Sequence, residues 1–269
     1  MVQHSDAVTP DAGGAPRRAR RQKKRRAPLS FAGVLGELLI TAGLLVLGYI
    51  LWQPWYTSTV VTSAQTEISS GFSEEWRANA APPSTDGMPV TEPVADGEVF
   101  GVLHVPAFQQ RFANTIAEGV SRASVLDLDD RGLGRYTTTQ LPGEPGNFAV
   151  AGHRSGPLIN SLREVMNLRV GDPIFVETQQ GWYTYRFRSI EYVLPEEVDV
   201  LNAFPRAEGT VIEGTPGTDS ILTMTTCHPK WAGSEERAIA YAVLEGWQPL
   251  SDGPPAELIE LNPSITKGA

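Results

Sequence analysis

Hydrophobic and polar positions are arranged in three ways along this chain, and each marks a different part of it. The first is a run with no polar face. "FAGVLGELLITAGLLVLGYILW", Phe31 to Trp52, is 22 residues with one charge, Glu37. As a helix it spans roughly 33 Å at about 1.5 Å per residue, close to the hydrocarbon thickness of a bilayer. Tyr49, Trp52, Trp55 and Tyr56 gather at its far end as interfacial aromatics do, and Pro54 supplies a stop.

The second arrangement has little periodicity. Thr57 to Gly71 is polar enough, with Glu67, Ile68 and the following Phe72, to allow one or two further helical turns. "NAAPPSTDGMPVTEPVADG", residues 79–97, has the Pro, Gly, Ala and acid content of a linker. Residues 57–97 therefore read as a stalk.

The third arrangement is the two-residue period of half-buried strands, broken by turn residues. "VFGVLHVPAF" is one such run, with Pro106 near its end, and "GNFAVAGHRSG" is a short apolar strand ending at His153. "DPIFVETQQGWYTYRFRSIEYVL" gives two alternating runs around "QQG", a hairpin signature. "DSILTMTTCHP" and "RAIAYAVLEGW" add two more strands. "PLINSLREVMNL" is the one segment with helical spacing, Leu158, Leu162, Val165 and Met166 forming its stripe. About 150 residues of short strands with one or two short helices predict an all-β domain, a single closed barrel or a sandwich. A domain of that size buries a core without disulfides. The expected division is a basic segment 1–28, a transmembrane signal-anchor 29–56, the stalk 57–97, the β domain 98–249 and a polar, Pro-rich tail 250–269.

Charge fixes the orientation expected of the span. Eight of the ten residues from Arg17 to Arg26 are basic. Alone, such a run could be a nucleic-acid or nuclear-localisation patch. Beside an apolar span it marks the cytoplasmic side and puts residues after about 57 outside the cell. A cleaved signal peptide is the rival, but the apolar run exceeds the usual ~7–15 residues and no small-x-small site follows it closely. Glu37, two turns inside the cytoplasmic end, reads as a snorkelling or locally packed side chain rather than a proton site. Residues 1–56 hold eight basic and three acidic side chains, net +5; residues 57–269 hold 14 and 28, net −14. An exported part this acidic argues against nucleic acid as a partner, and against lying flat on anionic lipid.

The candidate chemistry centres on Cys227, the only cysteine in the chain. An odd cysteine in an exported protein is a reactive thiol, half of an intermolecular disulfide, or an inert buried side chain. Cys227 ends an apolar strand and precedes His228-Pro229, which sets it at a strand exit. Arg237 lies ten residues on, at the start of the next strand, so antiparallel pairing can bring the two ends together. His153 sits at a Gly-flanked strand end. A thiolate attacks, an imidazole exchanges the proton and a guanidinium stabilises an oxyanion, so the three types are complementary. Arg154, Arg135 and Arg188 remain alternatives for the guanidinium. His228 adjoins the thiol, but neighbouring strand residues point to opposite faces, which favours His153. His104 reads as a barrel residue. A zinc site from Cys227, His228, His153 and His104 has enough ligands but no short metal-type spacing, so no metal or cofactor is expected.

The segment "TMTTCHPKW…ER" resembles the Thr-Leu-x-Thr-Cys…Arg signature of the sortase family, with Met224 where Leu is usual. "LPGEPGNFAVAGHRSG" resembles the segment carrying the sortase catalytic histidine. With "GVLHVPAF" and "AEGV" (Ala117 to Val120), the likeness runs over most of Glu98 to Trp247 and is nearest the class E branch of actinobacteria. The resemblance implies a closed eight-stranded β-barrel and a cysteine transpeptidase in which Cys227 is the nucleophile, His153 the acid/base and Arg237 the oxyanion and substrate-orienting residue. It implies as partners sorting-signal peptides of secreted proteins, of the Leu-Pro-x-Thr-Gly type and with Ala preferred to Pro in class E, and an amine of the peptidoglycan precursor. Tyr136, Thr225 and Thr226 are candidates to line the peptide groove. One departure stands out: ten residues separate Cys227 and Arg237 where the class E pattern has nine, lengthening the loop "KWAGSEE". A pilus-polymerising sortase would carry an Asp-Pro-aromatic lid motif, absent here. A hydrolytic cysteine protease, or a non-enzymatic anchored barrel dimerised through Cys227, are the other readings.

Overall fold

A computed structural model describes residues 30–56, 62–80, 87–109, 111–156, 160–205, 218–231 and 234–266. The basic segment 1–28, Leu158 of the expected helix and Ala232-Gly233 of the lengthened loop lie outside the described residues. The apolar run forms helix α1, Phe31–Tyr56, of which Phe31–Gln53 has a mean hydropathy of 2.2 and is long enough to cross a membrane. No residue of its apolar window is buried among the described residues.

Eight strands close into one barrel. They are β1 Val99–His104, β2 Ala113–Glu118, β3 Leu133–Arg135, β4 Gly146–Gly152, β5 Pro173–Thr178, β6 Gly181–Val193, β7 Ser220–His228 and β8 Glu236–Gln248. Around the barrel the order is β1-β2-β3-β4-β7-β8-β6-β5, with β5 returning to β1. The β2/β3 and β4/β7 pairs are parallel and the others antiparallel. Alternation along each strand sorts the side chains. Phe148 and Val150 of β4, Leu222 and Met224 of β7, and Ala240 and Ala242 of β8 point into the barrel core with Leu103, Ile116, Tyr183 and Tyr185. Ile221, Ile239, Tyr241 and Val193 face outward and are covered by Val200 and Leu201 from the β6–β7 connection. The hairpin around "QQG" and the strands at "SILTMTTCH" and "ERAIAYAVLEGWQ" fall where alternation put them. Strands β2 and β3 carry no clear alternation, because "ANTIAE" and "LGR" are buried on both faces.

Three segments differ from expectation. "PLINSLREVMNL" is not a helix: its described part is a run of turns ending in a 3-10 helix, Val165–Asn167. Leu162, Val165 and Leu168 enter the barrel core three residues apart, the period of 3-10 turns rather than of an α-helix. Within the expected stalk, Thr62–Ala78 is a continuous helix, α2, docked on the barrel. Gln65, Ser69, Ser73 and Trp76 form its buried face. That face is mostly polar, so it gave no hydrophobic stripe. Burying Trp76 alone is worth up to roughly 4–6 kcal/mol, at about 25 cal/mol per Å² and 150–250 Å² for an aromatic. Pro89 and Thr91 of the expected linker are also tied to the barrel, by Tyr183 Oη donating to the Pro89 carbonyl at 2.7 Å and by the Thr91 amide on Pro142 O.

The polar tail folds back as well. It forms α3, Ala256–Leu261, whose Leu258 is buried beside Trp76, Trp182 and Leu250. Arg186 of β6 fastens it by donating to both Glu257 oxygens, at 2.8 and 2.6 Å, while its Nε donates to Glu245 at 2.6 Å. Bidentate contacts of this kind hold a planar guanidinium in a single orientation.

Candidate active site

Strand register places the candidate residues. β4 and β7 run parallel from Gly146↔Ser220 to Ala151↔Thr225. The Thr226 hydroxyl donates to the Gly152 carbonyl at 2.7 Å, so the strands are still adjacent there. Continuing this register by two residues brings His153 level with Cys227. On the other side of β7, Cys227 pairs directly with Arg237 of β8. His153, Cys227 and Arg237 thus occupy one row across three neighbouring strands, whose axes lie about 4.8 Å apart. All three have the outward parity of Ala149, Ile221 and Ile239, so their side chains share one face. The β6–β7 connection covers this face further back, held by Asn147 Nδ2 donating to the Val200 and Asn202 carbonyls at 3.0 Å each. Cys227 is half-buried and is a free thiol.

Gly152 sets the approach of His153. A Cβ there would come within 2.7 Å of Leu133 and 3.0 Å of Leu162, so the strand packs against both only because this position has no side chain. The Leu162 amide then donates to the His153 carbonyl at 3.0 Å, fixing the backbone from the other side.

His153 has a partner absent from the sequence reading. Its Nε2 lies 2.7 Å from Asp127 Oδ1. Asp127 ends a π-helical turn, Arg122–Leu126, and also meets the Arg122 guanidinium at 3.1 Å. The hydrogen bond from His153 holds the Asp127 carboxyl below the ordinary carboxylate range, and Arg122 adds to the effect. A lowered carboxyl favours the fold above its unfolded titration range and loses that contribution as pH falls through its folded value. Around neutral pH Asp127 is therefore an anion facing the imidazole. Only the acid run Asp127, Asp129 and Asp130 could have pointed to it, and nothing local connects that run to a residue 26 positions on.

The rival residues are engaged elsewhere. His228 has the opposite strand parity to Cys227. Its Nδ1 accepts from Arg154 Nη1 at 2.6 Å, and its ring packs on Tyr192 with centroids 4.2 Å apart. An arginine nitrogen only donates, so the His228 Nδ1 is a lone-pair acceptor. Arg154 is buried by this contact. Arg135 is buried too, its Nε and Nη2 each 2.7 Å from a Glu118 oxygen. Removing either partner of such a buried pair costs about 3–5 kcal/mol, so its place is structural. Arg188 is exposed on β6. Arg237 itself donates from Nη1 to the carbonyls of Ser234 (2.9 Å) and Glu236 (3.0 Å), within the lengthened loop. Of the expected groove residues, Tyr136 Oη and Thr225 Oγ1 meet at 3.0 Å on the same outward face. Thr226 lies on the other face with its hydroxyl given to Gly152. His104 is a buried β1 residue, away from this site.

A closed eight-stranded barrel with a lone thiol flanked by an imidazole and a guanidinium defines a class, the barrel-fold proteins with a cysteine-centred site. Residues 103–245 match the family described as "Sortase domain", and the chain belongs to the sortase family, whose members are cysteine transpeptidases. Sortase SrtE1 of Streptomyces coelicolor is 32% identical over 251 residues, covering 90% of this chain and 66% of that protein. The chain thus spans just under two thirds of SrtE1. Sortase SrtE2 of the same organism is 30% identical over 270 residues, covering 96% of this chain and 100% of that protein. The solved structure of Streptomyces coelicolor sortase E1 with a tripeptide in the active site superposes with a TM-score of 0.52 at 34% identity, over 61% of this chain and 99% of that one.

Proposed function

We propose that this protein is a membrane-anchored transpeptidase that cuts a Leu-Ala/Pro-x-Thr-Gly sorting signal between Thr and Gly and joins the new carboxyl end to an amine of the peptidoglycan precursor. The observation that carries this reading is the single row of His153, Cys227 and Arg237 on one face of three strands. The tripeptide in the active site of the related sortase E1 supports a peptide as the acyl donor.

In this reading the Cys227 thiolate attacks the Thr carbonyl carbon, and the carbonyl electrons move to an oxyanion beside the Arg237 guanidinium. When the tetrahedral centre collapses, the C–N bond to Gly breaks and His153 gives its proton to the departing amine. The thioester that remains is attacked by the incoming amine, whose proton passes to His153, and Cys227 leaves as thiolate. Tyr136 and Thr225, joined on the same face, flank the extended peptide. Asp127 orients the imidazole through Nε2.

Asp127→Asn should keep the fold and slow transfer by several-fold, since an amide replaces the carboxylate acceptor that fixes the ring of His153. A transfer rate equal to wild type would remove Asp127 from the mechanism.

The activity itself is tested with fluorogenic Leu-Ala-x-Thr-Gly and Leu-Pro-x-Thr-Gly peptides, with and without a nucleophilic amine. The expected result is amine-dependent ligation with the Ala peptide preferred. Cleavage without ligation at any amine concentration would mark a hydrolase instead.

The anchor is part of the same reading: α1 crosses the membrane once, with the basic N-terminus cytoplasmic. Protease added to intact cells should then degrade the chain beyond residue 57 and leave the N-terminus protected. Release of the barrel into the medium without its first 56 residues would identify a cleaved signal peptide.

A further inference from the structure

The strand ends that carry His153 and Cys227 must stand level, and their backbone pairing stops short of both. Paired residues of β4 and β7 end at Ala151↔Thr225, and the Thr226 hydroxyl reaches one step further, to the Gly152 carbonyl. His153 and Cys227 lie beyond these links. The two chains meet again just past them. Arg154 follows His153, His228 follows Cys227, and Arg154 Nη1 donates to His228 Nδ1 at 2.6 Å. Side chains alternate along a strand, so this contact forms on the side away from the thiol.

Further contacts carry this bond around the site. The His228 ring packs on Tyr192 of β6, with centroids 4.2 Å apart. Tyr192 Oη donates to Met166 Sδ at 3.4 Å, and Met166 packs on the barrel core. In the same segment, the Leu162 amide donates to the His153 carbonyl at 3.0 Å. His153, Arg154, His228, Tyr192 and the segment 162–166 therefore close a ring of contacts behind the reactive face. Glu236 Oε2 stands 3.9 Å from His228 Nε2, the nitrogen that carries the proton when Nδ1 accepts.

Stability alone does not account for the pair. Arg154 is 7% exposed, and its Nε is buried with no hydrogen-bond partner among the described residues. Its Nη1 meets a ring nitrogen, where buried Arg135 meets the two oxygens of Glu118. A guanidinium buried against a group without opposite charge recovers less of its desolvation cost than one buried against a carboxylate. Apolar side chains of similar volume often fill such a place with equal or greater stability. What they lack is direction. A hydrogen bond weakens steeply off its axis and so fixes how two strand ends stand. We propose that Arg154 and His228 are a positioning pair for the transfer reaction. Their hydrogen bond sets the spacing of His153 and Cys227 from behind and touches no substrate. This inference rests on the transpeptidase reading.

The test follows peptide transfer and the unfolding midpoint of the full chain in phosphatidylcholine nanodiscs. His228→Phe keeps a ring for Tyr192 but offers Arg154 no acceptor. Its kcat should fall by about ten- to a hundredfold, the scale of loss when reacting groups are displaced by roughly an ångström. KM should change little, because neither side chain faces the peptide. His228→Asn, whose amide oxygen can stand where Nδ1 does, should recover most of that loss. Arg154→Met combined with His228→Phe replaces the pair with apolar groups and covers the case in which His228→Phe alone unfolds. This double variant should unfold at or above the wild-type midpoint while its kcat stays as low as that of His228→Phe. Wild-type kcat in the double variant would show that packing alone sets the row, and would overturn the proposal. So would a His228→Asn variant as slow as His228→Phe, or a double variant whose midpoint falls along with its activity. A readout independent of transfer separates this inference from the reading beneath it. In nitrogen NMR spectra near neutral pH, the His228 signals, identified by their absence from His228→Asn, should show the proton on Nε2 alone. A proton on Nδ1 overturns the pair even if the protein transfers peptides. A wild-type chain that transfers none defeats the proposed function instead.

Discussion

Cys227→Ala should abolish both peptide cleavage and the thioester intermediate while leaving the barrel folded. The side chain is half-buried on the outer face of β7, beyond the last core contact at Met224, so truncation removes little packing. Its backbone pairing with Arg237 does not depend on the sulfur. No second thiol exists in the chain to substitute. Intact-protein mass spectrometry after mixing with sorting-signal peptide should show the acyl adduct on wild type and none on the variant. Unchanged circular dichroism and thermal midpoint would separate loss of chemistry from loss of fold. Substantial ligation by Cys227→Ala would defeat the catalytic reading altogether.

Arg237→Ala should lower kcat more than it raises KM, by a factor on the order of 10²–10³, the usual contribution of one oxyanion donor. The reason is that the charge it meets exists only in the transition state. Arg237→Lys should rescue poorly, because a point charge on a flexible stem does not reproduce a planar fork of donors. Register brings Arg237 opposite Cys227 despite the extra residue between them. Deleting one residue of Ala232-Gly233 should accordingly be tolerated. If Arg237→Ala were near wild type and Arg154→Ala inactive, the guanidinium role would pass to Arg154. The present geometry argues against this outcome, since Arg154 is buried and donates to His228.

The sequence by itself determined the features that rest on local periodicity. An apolar run of 22 residues interrupted only by Glu37 reads as a helix long enough to cross a membrane, because it has no polar face. Strict alternation in "RAIAYAV" and around "QQG" identified β8 and the β5–β6 hairpin, because one face of each is buried and a one-residue slip would invert it. The lone thiol and its sortase-like surroundings were legible in the same way, as residue types at fixed spacing. What only the tertiary structure decided is which distant polar groups meet. His153 and Cys227 are 74 residues apart and become level through a parallel pairing that neither strand's pattern specifies. Asp127 reaches His153, and Arg154 reaches His228, through turns whose sequences have no period. The same holds for α2: Gln65, Ser69 and Ser73 are buried polar residues. Gln65 donates to the Asp129 and Arg131 carbonyls, and Ser73 to Glu177. Hydrophobic burial is written residue by residue into the chain. A hydrogen bond needs two partners, and only the folded barrel brings them together.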